Sequence, residues 1–345
     1  KTKVDYIVVG LGIAGSWLTL ELLKRDVNVI VIDQDIDRTS SHRAAGIYNP
    51  ITGRKMVKTW RADSLFPHLE KHYQRIETLL SEKFLHPIPI YRPFSSVESR
   101  NDWEGFIEDT SYKTFLARMI TDKIGYENIQ DSFGGIILNH SGYVNIPLML
   151  KAVKAMLVNK GIYREEVFDY SKMMLSENFV RYDDLQANKV FFCEGVIGSN
   201  PFWKLPFKPV RGEIIDIKCN LQPKHIINQG VFMIPKSGYL TVGSTYDHNN
   251  LGYEPQESGI QKLASRLSKL YLGSYEVIDK RAGVRPATHD RKPYIGLHYK
   301  YKTLGIFNGF GTKGVSLAPY FAKHLVDALQ GKNEIDKEVD VKRVI

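Results

Sequence analysis

The sequence predicts an α/β fold in which a core with a parallel sheet is interrupted by a unit with a mixed sheet. Three observations carry this reading. Apolar strand runs alternate with helical spacing at both ends of the chain, a glycine-rich turn opens the first helix, and the middle is rich in strand-like runs bounded by turn residues.

In chain order, residues 4–10 (VDYIVVG) form a continuous apolar run that stops at glycine, the pattern of a strand buried on both faces. Residues 14–25 have helical spacing and 27–33 (VNVIVID) read as a second buried strand, so the chain opens as a strand–helix–strand crossover. Residues 58–84 read as helix, and 101–122 as shorter helices with polar breaks. The helix over 145–161 is the most complete. Asn145 caps it, Pro147 lies in its first turn, Ile146, Leu150, Val153 and Leu157 share a face, and Gly161 ends it. Strands are expected at 162–168, 188–193, 210–218, 231–235 and 239–245, the last two joined through Lys236, Ser237 and Gly238 as a hairpin. A helix over 256–272, strands at 276–285 and 303–307, and a helix over 315–329 complete the pattern.

Composition bounds the function. The chain has 345 residues, 43% hydrophobic and 25% charged, which suits a globular protein with a sizeable core. A formal net charge of +9 favours anionic partners such as phosphate cofactors, carboxylate substrates or RNA, although an ordinary basic surface gives the same number. Cys193 and Cys219 make neither a disulfide framework nor a zinc set, so a reducing cytoplasm is expected, with no metal. Residues 6–20 imitate a signal peptide but are too short to span a bilayer and lack a small-residue cleavage site, so neither a targeting segment nor membrane contact is expected.

Gly10, Gly12 and Gly15 form G-x-G-x-x-G between the first strand and helix, and Asp33 closes the second strand. In that pattern Gly10 permits the tight turn, Gly12 lets a pyrophosphate approach the backbone, and Gly15 lets helix and strand pack closely. The helix start at Ile13 and Ala14 offers free N–H groups and the positive dipole end, while Asp33, followed by Gln34, can accept hydrogen bonds from a ribose. This Rossmann-type fingerprint predicts a dinucleotide without separating NAD from FAD. A second glycine loop, Gly309, Gly311 and Gly314, leads into the last helix, with Pro319 tolerated in its early turns.

Further segments separate the two cofactors. SSHRAAGIYNP (40–50), VFFCEG (190–195), VRGEI (210–214), MIPKSGYLTVGSTYD (233–247) and RAGVRPATHDRKPYIG (281–296), in that order after the opening stretch, resemble the D-amino-acid-oxidase-like flavoproteins, the group of glycine oxidase and sarcosine oxidase. The resemblance runs nearly end to end and is vague over 51–135 and 248–275. It implies non-covalent FAD, since neither cysteine falls near 285–292, where sarcosine oxidases tether flavin. It also implies a discontinuous FAD-binding domain of residues 1–50, 140–205 and 280–345, and a substrate or roof domain of 51–139 and 206–279.

By the same resemblance, Arg43, Ala44, Ala45 and Gly46 skirt the cofactor beside His42, and Val167, Cys193, Glu194 and Gly195 contact it further along. The late loop with Thr312, Lys313 and Gly314 wraps the isoalloxazine ring. Arg285 holds a substrate carboxylate, which a guanidinium fork suits, and Tyr246 lines the substrate cavity. Lys313 places a cation beside flavin N1 or near N5. The implied activity is oxidation of the C–N bond of an amine or N-substituted amino acid by hydride transfer to flavin N5. The alternatives at each site are a structural ion pair for Arg285, a solvated lysine for Lys313, and core packing for Tyr246; His248 and His289 suggest no role. By alternation along 276–285, Arg281 and Arg285 share one face of the strand and Val284 the other.

A basic run at Arg54, Lys55, Lys58 and Arg61 also resembles, with RAGVRPATHDRKPYIG and GFGTKG, the oxidase half of the bacterial tRNA-uridine carboxymethylaminomethyl-modifying enzyme. That likeness implies a tRNA partner carrying a modified uridine; a solvated helix face is the plainer reading of the charges. From a different class, a catalytically silent nucleotide-binding protein would keep the same glycine loops.

Overall fold

The structure, a computed structural model, describes residues 2–53, 57–107, 109–196 and 200–345. In chain order its main elements are β1 (Thr2–Val9), α1 (Ile13–Leu23), β2 (Val29–Asp33), α2 (Ala62–Leu80), β3 (Ile90–Pro93), β4 (Leu116–Ile120), β5 (Gly135–Leu138) and α3 (Ile146–Asn159). There follow β6 (Tyr163–Glu165), β7 (Met173–Leu175), β8 (Val180–Tyr182), β9 (Leu185–Phe192), β10 (Val210–Lys218), β11 (Ile226–Gln229), β12 (Val231–Lys236) and β13 (Tyr239–Gly243). The chain ends through α4 (Glu257–Leu267), β14 (Glu276–Arg285), β15 (Tyr294–Leu297), β16 (Leu304–Asn308) and α5 (Gly314–Leu329).

Two eight-stranded sheets organise these elements. In the first, β6, β2, β1, β9 and β16 lie side by side and parallel, with β8, β7 and β15 added antiparallel. The parallel strands are apolar on both faces because α1 and α5 cover one side and a second core the other. Ile7, Val8, Val31 and Ile32 are all fully buried. The strand order reverses between β1 and β9, which opens a crevice at their carboxyl ends. The second sheet runs β14-β10-β13-β12-β11-β3-β5-β4, mostly antiparallel, with β3 and β11 parallel. The α/β fold and the mixed second sheet are as the sequence predicts.

Two expectations need correction. Residues 116–120 are strand β4, an edge strand paired with the wholly buried β5, where a short helix was expected. Neighbouring strands outweigh local propensity in so short a segment. The strand expected over 162–168 covers only Tyr163–Glu165, after which residues 170–172 turn as a single 3₁₀ turn. Among the described residues, no helix is long and apolar enough to cross a membrane.

Candidate active site

The crevice between β1 and β9 is built by close backbone approach. Gly10 has φ +94°, and a Cβ there would sit 2.7 Å from the Cys193 carbonyl oxygen. A Cβ on Gly15 would lie 1.9 Å from the Gly10 carbonyl oxygen, so only glycine lets α1 start against the strand end. Asp33 holds the turn from β2: its Oδ1 accepts from Leu11 N–H at 2.9 Å and its Oδ2 from Asp35 N–H at 3.0 Å. Gly12 has no side chain to cap the N-terminus of α1, where Ser41 Oγ accepts from the Ile13 N–H at 3.1 Å.

The late loop brings a second open helix end to the same place. Gly309 and Gly311 have φ of +82° and +53°, and α5 begins after Lys313, again without a side-chain cap. A Cβ on Gly314 would come within 3.0 Å of Ile13 Cγ2, which shows how tightly α5 and α1 pack. Pro319 cannot donate to the Val315 carbonyl, and that oxygen accepts instead from the buried Tyr73 hydroxyl of α2 at 2.8 Å.

Both helix ends face one cavity of about 1330 Å³. Every residue singled out above for cofactor or catalysis lines it except Gly15 and Gly309, which act through packing; His42, His248 and His289 do not line it. His42 instead shares a 2.8 Å hydrogen bond through Nδ1 with Thr39 Oγ1, and burial lowers its pKa. Burial also pushes the Cys193 thiol well up, with Glu194 adding to it, which leaves an inert small apolar wall. The Glu194 carboxyl is likewise raised by burial, opposed by hydrogen bonds from Tyr170 and Asn200, the latter at 2.8 Å.

At the other end stands Arg285, on the last position of β14. The β14–β10 ladder is regular from Arg281 to Arg285, so the two arginines share a face as expected. Their fates differ. Arg281 Nη1 bonds Asp216 Oδ2 at 2.7 Å, whereas Arg285 makes no ion pair among the described residues. The carboxylate whose charge reaches it, Glu213, is taken: Arg211 binds it at 2.5 Å, Gln256 N–H donates to it at 3.3 Å, and Thr245 Oγ1 bonds its other oxygen. Thr245 is thereby fixed, and its carbonyl accepts from Arg285 Nη1 at 3.3 Å. Burial lowers the Arg285 pKa, opposed by Tyr246 and Glu213. Tyr246 is 61% exposed, and its ring centroid lies 4.9 Å from the Arg285 guanidinium carbon, so Tyr246 is a cavity-rim residue and not core packing.

Lys313 is no solvated loop lysine. Its Nζ lies 3.4 Å from the buried Thr59 Oγ1, and burial, with Arg291 adding repulsion, lowers its pKa to about 8. In the basic run, Arg54 and Lys55 lie outside the described residues. Lys58 pairs with Asp63 at 2.7 Å and Arg61 with Asp336 and Glu338, so both of these charges already have acidic partners.

Two lining residues escaped the sequence. Glu166 follows β6, and its Oε1 is buried without a hydrogen-bond partner among the described residues. Only its position two strands from the fingerprint, which needs the sheet order, could have revealed it. Arg92 on β3 donates to the carbonyls of Ile51 at 3.1 Å and Gly53 at 2.8 Å, and burial lowers its pKa to about 10.

These features fit FAD. Two helix starts whose N-cap residues give no side-chain cap aim at one cavity, glycines leave no Cβ where phosphates and a flat ring would approach, and an unsatisfied carboxylate oxygen waits beside the strand ends for a donor. The α1 turn would hold the pyrophosphate, Asp33 the ribose, and the loop before α5 the flavin.

Comparison with known proteins agrees. The family model described as FAD dependent oxidoreductase matches residues 5–328. Glycine oxidase of Pseudomonas aeruginosa is 28% identical over 137 residues, 38% of this chain and 38% of that protein. The bifunctional protein ThiO/ThiG of Trichormus variabilis is 23% identical over 94% of this chain, which spans 52% of that protein. The crystal structure of glycine oxidase from Geobacillus kaustophilus superposes with a TM-score of 0.83 at 20% identity, over 100% of both chains, a likeness of fold. With the matched region reaching from the first glycine loop through α5, the chain belongs to the FAD dependent oxidoreductase family.

Proposed function

We propose that the chain oxidises the C–N bond of an amine or N-substituted amino acid whose carboxylate is held by Arg285. The observation that carries this reading is a desolvated guanidinium that lines the cofactor cavity without an acidic partner among the described residues. A buried cation left this way is stabilised by an incoming carboxylate, and the planar fork suits one. Tyr246 covers it from the rim, and Thr245, locked by Glu213, fixes the direction of its Nη1.

Bound FAD supplies the two-electron acceptor for the hydride that leaves the α-carbon. The chain's own task is to hold the amine neutral and in place. No histidine lines the cavity among the described residues, and the lining carboxylates Asp33, Glu166 and Glu194 all lie at carboxyl ends of strands of the first sheet. The cations Arg285 and Lys313 at the opposite end disfavour an ammonium and lower the substrate amine's pKa. No side-chain base is then required, since the amine binds already deprotonated. The imine product hydrolyses to an oxo acid and a released amine. The glycine oxidase name of the relatives supports this substrate class.

The test is product analysis with purified holoenzyme and a panel of glycine, N-methylglycine and the matched N-methylamines lacking a carboxylate. Formation of the oxo acid from the carboxylate-bearing members, with little turnover of the others, is expected. Equal turnover of both sets would remove Arg285 from the account.

A further inference from the structure

The cavity's charges are segregated. Its lining acids stand at the nucleotide end, while Arg92, Arg266, Lys269, Arg285 and Lys313 come from the second sheet, α4 and the loop before α5. Arg43 pairs with Asp37 at 3.6 Å; none of the other five makes an ion pair among the described residues. Arg285 is explained by one carboxylate, Lys313 by a ring that gains negative charge, and Arg92 by the Ile51 and Gly53 carbonyls to which it donates. Arg266 and Lys269 remain. Arg266 lies in the last turn of α4 and Lys269 in the turn that follows it, where the Lys269 N–H donates to the Arg266 carbonyl at 3.2 Å, so the two cations leave the same end of the helix. The negative end of the helix dipole accounts for cations there, but not for their lining this cavity.

Position makes them relevant to the substrate. Arg266 Nη1 lies 3.4 Å from the Ser244 carbonyl oxygen, and Arg285 Nη1 lies 3.3 Å from that of Thr245. The two guanidinium groups thus sit on consecutive carbonyls, and with neighbouring Cα atoms about 3.8 Å apart they are separated by no more than roughly 12 Å. We infer that the physiological substrate carries a second anionic group, on the arm distal to the amine, which Arg266 and Lys269 receive while Arg285 holds the first. This deepens the reading proposed above and rests on it. The substrate class is an N-substituted amino acid with a carboxylate or phosphate some four to seven bonds beyond the nitrogen. Arg266 and Lys269 are both exposed, so the contribution of each is screened and should fall with salt.

The probes are N-(3-carboxypropyl)glycine and its isosteric amide, N-(3-carbamoylpropyl)glycine, which differ only in the distal charge. With wild-type holoenzyme at low salt, the acid should exceed the amide in kcat/KM by about two- to thirtyfold, as expected for one to two rim charge pairs. That ratio should shrink as salt rises and approach or fall below one in the double charge reversal Arg266→Glu with Lys269→Glu. Flavin content and amide turnover report whether the variant is folded, and Arg266→Ala with Lys269→Ala gives a milder second variant. Amide turnover with no preference for the acid, or a preference that survives both variants, overturns this inference and leaves the proposed function standing. No turnover of either compound by flavin-loaded wild type overturns both.

Discussion

Gly212 and Arg285 meet diagonally across the β10–β14 ladder, and a Cβ on Gly212 would lie 2.1 Å from Arg285 Nη2. The bare backbone of Gly212 is what gives the guanidinium room to lie over β10 and reach the Thr245 carbonyl. Gly212→Ala should therefore push the Arg285 head group aside, because the flexible arginine moves more cheaply than the strand. The expected outcome is a rise in KM of about tenfold or more for a carboxylate substrate, with Tm and flavin content near wild type. A loss of Tm with kinetics unchanged would mean that the strand moves instead.

Glu166 offers its buried, unpaired Oε1 to the nucleotide end of the cavity. Titrating apoprotein with FAD should show Glu166→Leu binding about tenfold or more weakly, since a hydrogen bond to a charged group contributes about 1.5–3 kcal/mol. Glu166→Gln should fall between. Identical affinity in all three proteins would remove Glu166 from the cofactor's contacts.

Lys313, with its pKa lowered to about 8 by burial, is still mostly cationic at neutral pH. If its charge faces the flavin, Lys313→Met should make the bound flavin's midpoint potential more negative by about 20–40 mV, equivalent to about 1–2 kcal/mol for a two-electron couple. A potential unchanged by the substitution would place the ammonium away from the ring.

Away from the cofactor cavity, Lys236 stacks over Tyr143, its Nζ 3.0 Å from the ring centroid. Burial, with Arg281 adding repulsion and Asp216 opposing, lowers its pKa to about 7. In the unfolded chain the pKa returns to about 10.4, so between these values the unfolded state binds the proton and the native state does not. Stability from this group therefore rises with pH across that window and is lost as pH falls through 7. Thermal melts of wild type and Lys236→Met should show wild type gaining relative to the variant from pH 7 to pH 10. A difference that stays flat would mean that Lys236 is charged throughout.

What the sequence made legible is local. The turn at Gly10, Gly12 and Gly15 can be read because its spacing encodes a backbone shape, and the helix over 145–161 because Asn145 and Gly161 mark its ends; Asn145 Oδ1 does accept from Leu148 N–H at 3.3 Å. The second sheet was half hidden. Strand β3 is four residues long and ends in Pro93, too short to stand out as a strand until β11 and β5 flank it. Glu166, Arg92 and Gly212 matter only through neighbours distant in sequence. Alternation put Arg281 and Arg285 on one face of their strand, and only Asp216 on the adjacent strand separates the ion-paired arginine from the open one.

The central claim is that Arg285 supplies substrate affinity through a carboxylate, and anaerobic mixing of holoenzyme with substrate tests it most directly by following flavin bleaching. Loss of one side of a desolvated, charge-assisted pair costs about 2–5 kcal/mol. For a carboxylate-bearing amine, Arg285→Ala should lower the reduction rate per unit concentration by roughly thirtyfold to several thousandfold, at about 1.4 kcal/mol per tenfold. Arg285→Lys should restore part of it, because an ammonium keeps the charge but not the fork. FAD content should be unchanged. Bleaching as fast in Arg285→Ala as in wild type, or an equal loss with a matched amine lacking the carboxylate, would contradict the account.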